Sequence, residues 1–172
     1  MNRAKLLLVL ASGLAVSTNV PAAAQTSALT APGANLSAYS SYEWLGTTPP
    51  AGTNSIIVQQ IIADFDAEMA SRGYQKSDDG QLTLALTLGA QNKTDIQSWG
   101  RFGLQTSVYQ YTQGQLSLDV YDSKTHQALW HGQVAKTINP QKPNQAKISQ
   151  AITKLMQKFP GTAAQAPAAP AQ

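Results

Sequence analysis

The chain has 172 residues, a formal net charge of +3 and no cysteine. That length suits a single domain. So small a charge excludes a general nucleic-acid binder, and the missing thiols exclude disulfides and a lipid-bearing cysteine, leaving a hydrophobic core to hold the fold.

The elements begin with a secretion leader. Arg3 and Lys5 form a basic start, Leu6 to Ala15 an apolar run, and Pro21-Ala22-Ala23-Ala24 a small-residue cleavage site, so residues 1–24 read as a signal peptide and Gln25 as the mature N-terminus. The run is too short for the ~20 residues of a spanning helix, so no transmembrane segment is expected in the mature chain. Loss of Arg3 and Lys5 lowers the net charge to +1. Residues 25–34 (QTSALTAPGA) are poor in large side chains and read as a flexible linker. A single domain is expected over 35–160, followed by a disordered Ala/Pro/Gln tail over 161–172.

Within the domain, Ser40 to Leu45 (SSYEWL) is a candidate first strand. Ser55 to Arg72 then carries Ile57, Val58, Ile61, Ile62, Phe65 and Met69 at helical spacing, with Asn54 as N-cap and Gly73 as a left-handed stop. Leu82, Leu84, Leu86 and Leu88 alternate with small or polar residues, as do Leu116, Leu118 and Val120, and Ala128, Trp130 and Val134 continue the period of two in a third strand. Between the first two of these runs, 89–111 shows no sustained period and reads as a long loop, although Gln105 to Tyr111 could extend the following strand. A last helix, Ala146 to Phe159, buries Ile148, Ile152, Leu155, Met156 and Phe159 and is stopped by Pro160-Gly161. The order strand-helix-strand-strand-strand-helix implies an α+β fold: an antiparallel sheet of about four strands with two helices packed on one face.

Both histidines lie in Tyr121 to Val134 (YDSKTHQALWHGQV). Asp122-Ser123-Lys124-Thr125 has turn residues between two alternating runs, which makes the stretch a hairpin with His126 at its mouth. Trp130 and His131 then point to opposite sheet faces. The string Gly114 to Gly132 (GQLSLDVYDSKTHQALWHG), with Ser41-Tyr42-Glu43-Trp44, Arg72-Gly73-Tyr74 and Lys158-Phe159-Pro160, resembles the domain of unknown function 4136 family, secreted proteins and lipoproteins of bacterial envelopes. The resemblance implies a compact α+β fold and an envelope location, with no established activity. Two departures stand out: the chain lacks the lipid-bearing cysteine of many relatives, and His131 occupies a position where basic residues such as arginine are common.

No nucleophile elbow, zinc spacing, calcium loop or phosphate-binding glycine loop is present, so no catalytic residue, metal or cofactor is assigned. The expected function is a non-catalytic binding or support module, periplasmic and not lipidated, whose partner is an envelope protein or an anionic surface. One alternative is a small hydrolase or ligand-binding enzyme with a pocket near 89–111, using His131, Arg101 or Asp122. Trp99, Arg101 and Phe102 are the candidate ligand contacts in that segment, and Tyr42, Trp44, Tyr109 and Tyr111 could also line a groove. A second alternative is anionic-surface binding: Lys147, Lys154 and Lys158 fall within about 40° of one another on the last helix, a basic ridge that Asp64 and Glu68 of the first helix could also pair with.

Overall fold

A computed structural model describes residues 25–46, 49, 53–99, 105–139 and 142–163. Residues 1–24, the expected signal peptide, and residues 164–172 lie outside them. The elements are β1 (Gln25–Thr30), a 3-10 turn (Leu36–Ala38), β2 (Ser41–Trp44), α1 (Ser55–Ser71), β3 (Gln75–Lys76), β4 (Leu82–Trp99), β5 (Gln105–Asp122), β6 (Ala128–Ile138) and α2 (Gln145–Met156). The fold is α+β, but the sheet has six strands in the order β1-β6-β5-β4-β2-β3. It is mixed, because β2 runs parallel to both β3 and β4 while the other pairs are antiparallel.

The leucine alternation sets the inner face. Leu84 stands opposite Val120 and Val120 opposite Trp130; in the next rows Leu86, Leu118 and Gly132, then Leu88, Leu116 and Val134, line up across three strands. Each row puts large apolar side chains on one side of the pleat. The helices cover that side with Val58, Ile61, Phe65 and Met69 from α1 and Ala151, Ile152, Leu155 and Met156 from α2, all buried. Asn54 caps α1 by accepting from Ile56 N at 2.8 Å, and Asn144 caps α2 by accepting from Lys147 N at 3.0 Å. Gly73 ends α1 in the left-handed region (φ 88°). The Arg72 guanidinium donates to Met156 O at 2.7 Å, which ties the end of α1 to that of α2.

Three expected segments need correction, and one strand was not expected. The 25–34 segment is no linker in its first part: β1 pairs with β6 from Gln25↔Ala135 to Thr30↔Trp130. Backbone hydrogen bonds hold it, together with Ala28 against the core, while its one large side chain, Leu29, is 73% exposed. β3 was also missed, since two exposed residues leave no pattern. The 89–111 loop is instead the far half of a hairpin in which β4 and β5 stay in register out to Trp99↔Gln105. The ordered body extends past Pro160: Ala163 N donates to Arg72 O at 2.9 Å, and its side chain packs on the core.

One glycine makes the core possible. A Cβ on Gly132 would lie 2.0 Å from Trp130 Cη2, so the indole lies across the neighbouring backbone where only hydrogen leaves room. Phe159 meets the indole edge-on at 5.2 Å, and Tyr74 meets Phe159 at 6.0 Å.

Candidate functional site

The histidine-bearing stretch is a hairpin turn, as its residues imply. Asp122 Oδ1 accepts from the backbone of Lys124 (2.9 Å) and Thr125 (2.7 Å), and its Oδ2 accepts from Tyr39 Oη (2.7 Å). The tyrosine hydrogen bond and the turn N–H groups hold the Asp122 carboxyl down at about 2. Tyr39 is pushed up in return by the same hydrogen bond. Asp122 is thus engaged in fixing the turn. His126 is exposed at the turn with φ 57°, and Trp130 and His131 face opposite ways.

His131 Nδ1 lies 2.6 Å from Asp119 Oδ1, a contact made across the β5–β6 ladder between two directly opposed residues. With the carboxylate ionised, the ring N–H donates. Both side chains are partly exposed, 40% and 28%, on the sheet face away from the helices. A histidine–carboxylate pair orients an imidazole. Here both side chains are partly solvated, and solvent screens the charges.

A second polar cluster joins three elements. Asp66 Oδ1 on α1 accepts from Tyr42 Oη and Trp44 Nε1, each at 2.8 Å, and its Oδ2 takes Lys76 Nζ at 3.0 Å. Burial, and then the Asp66 hydrogen bond, pushes the Tyr42 phenol up. Burial also pushes Tyr74 up to about 12, and its hydroxyl donates to Leu36 O at 2.8 Å. Tyr42 is thus a core residue; Trp44 is partly buried, meets Phe65 edge-on at 6.1 Å and borders a small cleft with Glu43, Ile62, Lys76, Ser77 and Asp78.

The basic ridge divides. Lys147 stands in the first turn of α2, whereas Lys154 lies in its last turn and Lys158 just beyond, both exposed. Asp64 and Glu68 pair with none of them. Asp64 accepts from Ser149 Oγ (2.6 Å) and Gln60 Nε2 (2.9 Å), and Glu68 holds Arg72 at 2.7 Å. Lys147 instead joins Lys136 and Lys142 at the rim of a groove of about 720 Å³. This groove opens between the helix layer and the sheet, where the starts of α1 and α2 meet the middle of the β4–β5 hairpin. Its walls are apolar, from Ile57, Ile61, Ile148, Leu88, Leu116 and Val134. Lys136 and Lys142 drew no notice in the sequence because they sit apart, one near the end of a strand and one before a helix cap. The absence of acid in the first turn of either helix was the available signal.

Of the candidate contacts in 89–111, Arg101 and Phe102 lie outside the described residues, as does the side chain of Trp99, whose backbone ends β4. Tyr109 and Tyr111 are exposed on the hairpin. Beyond Asn92↔Thr112, where β6 ends against β5, seven residues of β4 continue as a two-stranded arm, about 24 Å at strand rise. Ile96 and Val108 face each other across this arm, 64% and 59% exposed, and Tyr109 projects from its other side. Among the described residues, no third strand covers either edge of the arm. No group of His, Asp or Glu side chains able to hold a metal occurs among the described residues, and no helix there is long and apolar enough to cross a membrane.

A mixed sheet with two helices on one face and a framework of buried aromatics defines a small layered α+β domain. The chain belongs to the family described as Domain of unknown function (DUF4136), whose model matches residues 27–161. No curated protein sequence matches it. Among solved structures, it is similar to the PelC dodecamer from Paraburkholderia phytofirmans, with 10% identity and a TM-score of 0.53 over 83% of this chain and 100% of that one. A substituted form of that dodecamer gives 9% and 0.54 over the same shares. A PDZ domain protein from Parabacteroides distasonis gives 8% and 0.51, covering 71% of this chain and 32% of that one. At these identities the likeness is one of fold.

Proposed function

We propose that the protein is a non-catalytic module exported to the bacterial envelope, periplasmic and not lipidated, that works by docking to further copies of itself through the β4–β5 arm. The arm carries this reading. A two-stranded ribbon without a core is marginal in water, and free edges beside exposed Ile96, Val108 and Tyr109 make a surface suited to being covered. The similarity in fold to a protein crystallised as a dodecamer supports self-assembly as the form of that covering. The leader and the lack of cysteine support export without a lipid anchor. The partly solvated His131–Asp119 pair favours no hydrolytic reading.

Light scattering on the eluting protein tests the proposal. The full chain should assemble, and a variant with residues 92–112 replaced by Asn-Gly should elute as a monomer with a near-native melting curve. A monomeric full chain at tens of micromolar, or an armless variant that still assembles, refutes it. Cell fractionation with N-terminal sequencing should find the protein in the periplasm beginning at Gln25.

A further inference from the structure

The groove at the root of the arm is separate from the arm's docking faces, and its chemistry is two-sided. One side is oily: Ile57 and Ile148 are only partly buried, and with Leu88, Leu116 and Val134 they present apolar surface to an opening of about 720 Å³. That lies within the ~300–1,000 Å³ usual for small-molecule sites. The other side is cationic. Lys136, Lys142 and Lys147 stand at the rim, and none forms an ion pair with a carboxylate among the described residues. Among the described residues the lining holds no Asp or Glu. Neither α1 nor α2 has an acid in its first turn, where one would usually offset the helix dipole, and their caps Asn54 and Asn144 both line the groove. Positive potential thus converges on an apolar slot whose described lining carries no negative group.

We propose that this groove binds a single-chain anionic amphiphile, with the tail along Ile57, Leu88 and Ile148 and a carboxylate or phosphate headgroup among Lys136, Lys142 and Lys147. A free inorganic anion would leave the apolar walls wet. An uncharged chain would leave three cations unmatched.

The test uses protein expressed from the complete coding sequence and a dansyl-labelled undecanoate whose fluorescence rises on burial. Laurate and dodecyl phosphate should each displace the probe at least about tenfold more tightly than dodecanol, and comparing the two shows which headgroup is preferred. Lys136→Gln, Lys142→Gln and Lys147→Gln together should erase that preference, a weakening of about tenfold for three partly solvated charge contacts. Ala90→Trp should abolish displacement, because Ala90 is an exposed strand residue lining the groove and a large side chain there would fill it. Circular dichroism checks that variant, and if it is unfolded the lysine variant decides alone. No saturable binding, equal binding of dodecanol, or wild-type behaviour of the lysine variant would overturn the proposal. So would binding confined to anionic vesicles and unaffected by Ala90→Trp, which would mark a planar membrane surface as the target.

Discussion

Gly132→Ala is the sharpest probe of the core. The added methyl would lie 2.0, 2.6 and 2.7 Å from Cη2, Cζ3 and Cζ2 of the Trp130 ring, far inside contact distance. The ring has little room to retreat, being 1% exposed and braced at 5.2 Å by Phe159. Overpacking of this kind costs about 3 kcal/mol, which for a domain of this size lowers the melting temperature by roughly 10 °C. Thermal and urea unfolding followed by far-UV circular dichroism would measure both. Trp130→Leu alone should also cost about 3 kcal/mol, through the cavity it leaves. The double variant should be less damaged than the sum of the two by about 1–3 kcal/mol, since the alanine methyl then enters space the indole has vacated. A Gly132→Ala protein within about 0.5 kcal/mol of wild type, or strict additivity in the double variant, would refute the claim that the indole lies against this glycine.

Other outcomes follow from the polar clusters and the turn. Because the folded Asp122 carboxyl sits at about 2 against 3.8 ordinarily, it favours the folded state above pH 4 and loses that contribution as pH falls from about 4 toward 2; Asp122→Asn should flatten the acid limb of stability in that window, as titration monitored by tryptophan fluorescence would show. Asp66→Ala should destabilise by about 2–4 kcal/mol in urea unfolding, since it strands the Tyr42 hydroxyl and the Trp44 indole N–H at the core edge, and a loss under 1 kcal/mol would contradict their dependence on Asp66. His126→Gly should raise the urea midpoint by the equivalent of about 0.5 kcal/mol, the relief of a left-handed residue partly offset by the freer unfolded chain.

What could be read in the chain beforehand tracks where side chains are asked to face two different environments. Leu82 to Leu88 and Leu116 to Val120 sit between a helix layer and water, so period two was forced on them, and both helices showed their stripes for the same reason. The arm beyond Asn92 packs against neither helix of its own copy, so nothing within the single chain forces a period of two on it, and the alternation stops although the ladder does not. β1 and β3 are likewise held by main-chain pairing, which leaves no compositional trace. The His131–Asp119 pair could be drawn from the alternation of a hairpin. The gathering of Lys136, Lys142 and Lys147 could not, because it depends on where the end of β6 meets the start of α2 in space.

The placement of β1 has a consequence for how the molecule is made. Among the described strands, the first in the chain closes against the last, with some hundred residues between Thr30 and Trp130, while β4, β5 and β6 can form their meander from near neighbours. Ordering by loop closure puts β1 late. Until it lands, β6 is a bare rail of amide and carbonyl groups. A proteolytic nick between Thr30 and Leu36 would return the molecule to that state, and the clipped chains should stack margin to margin.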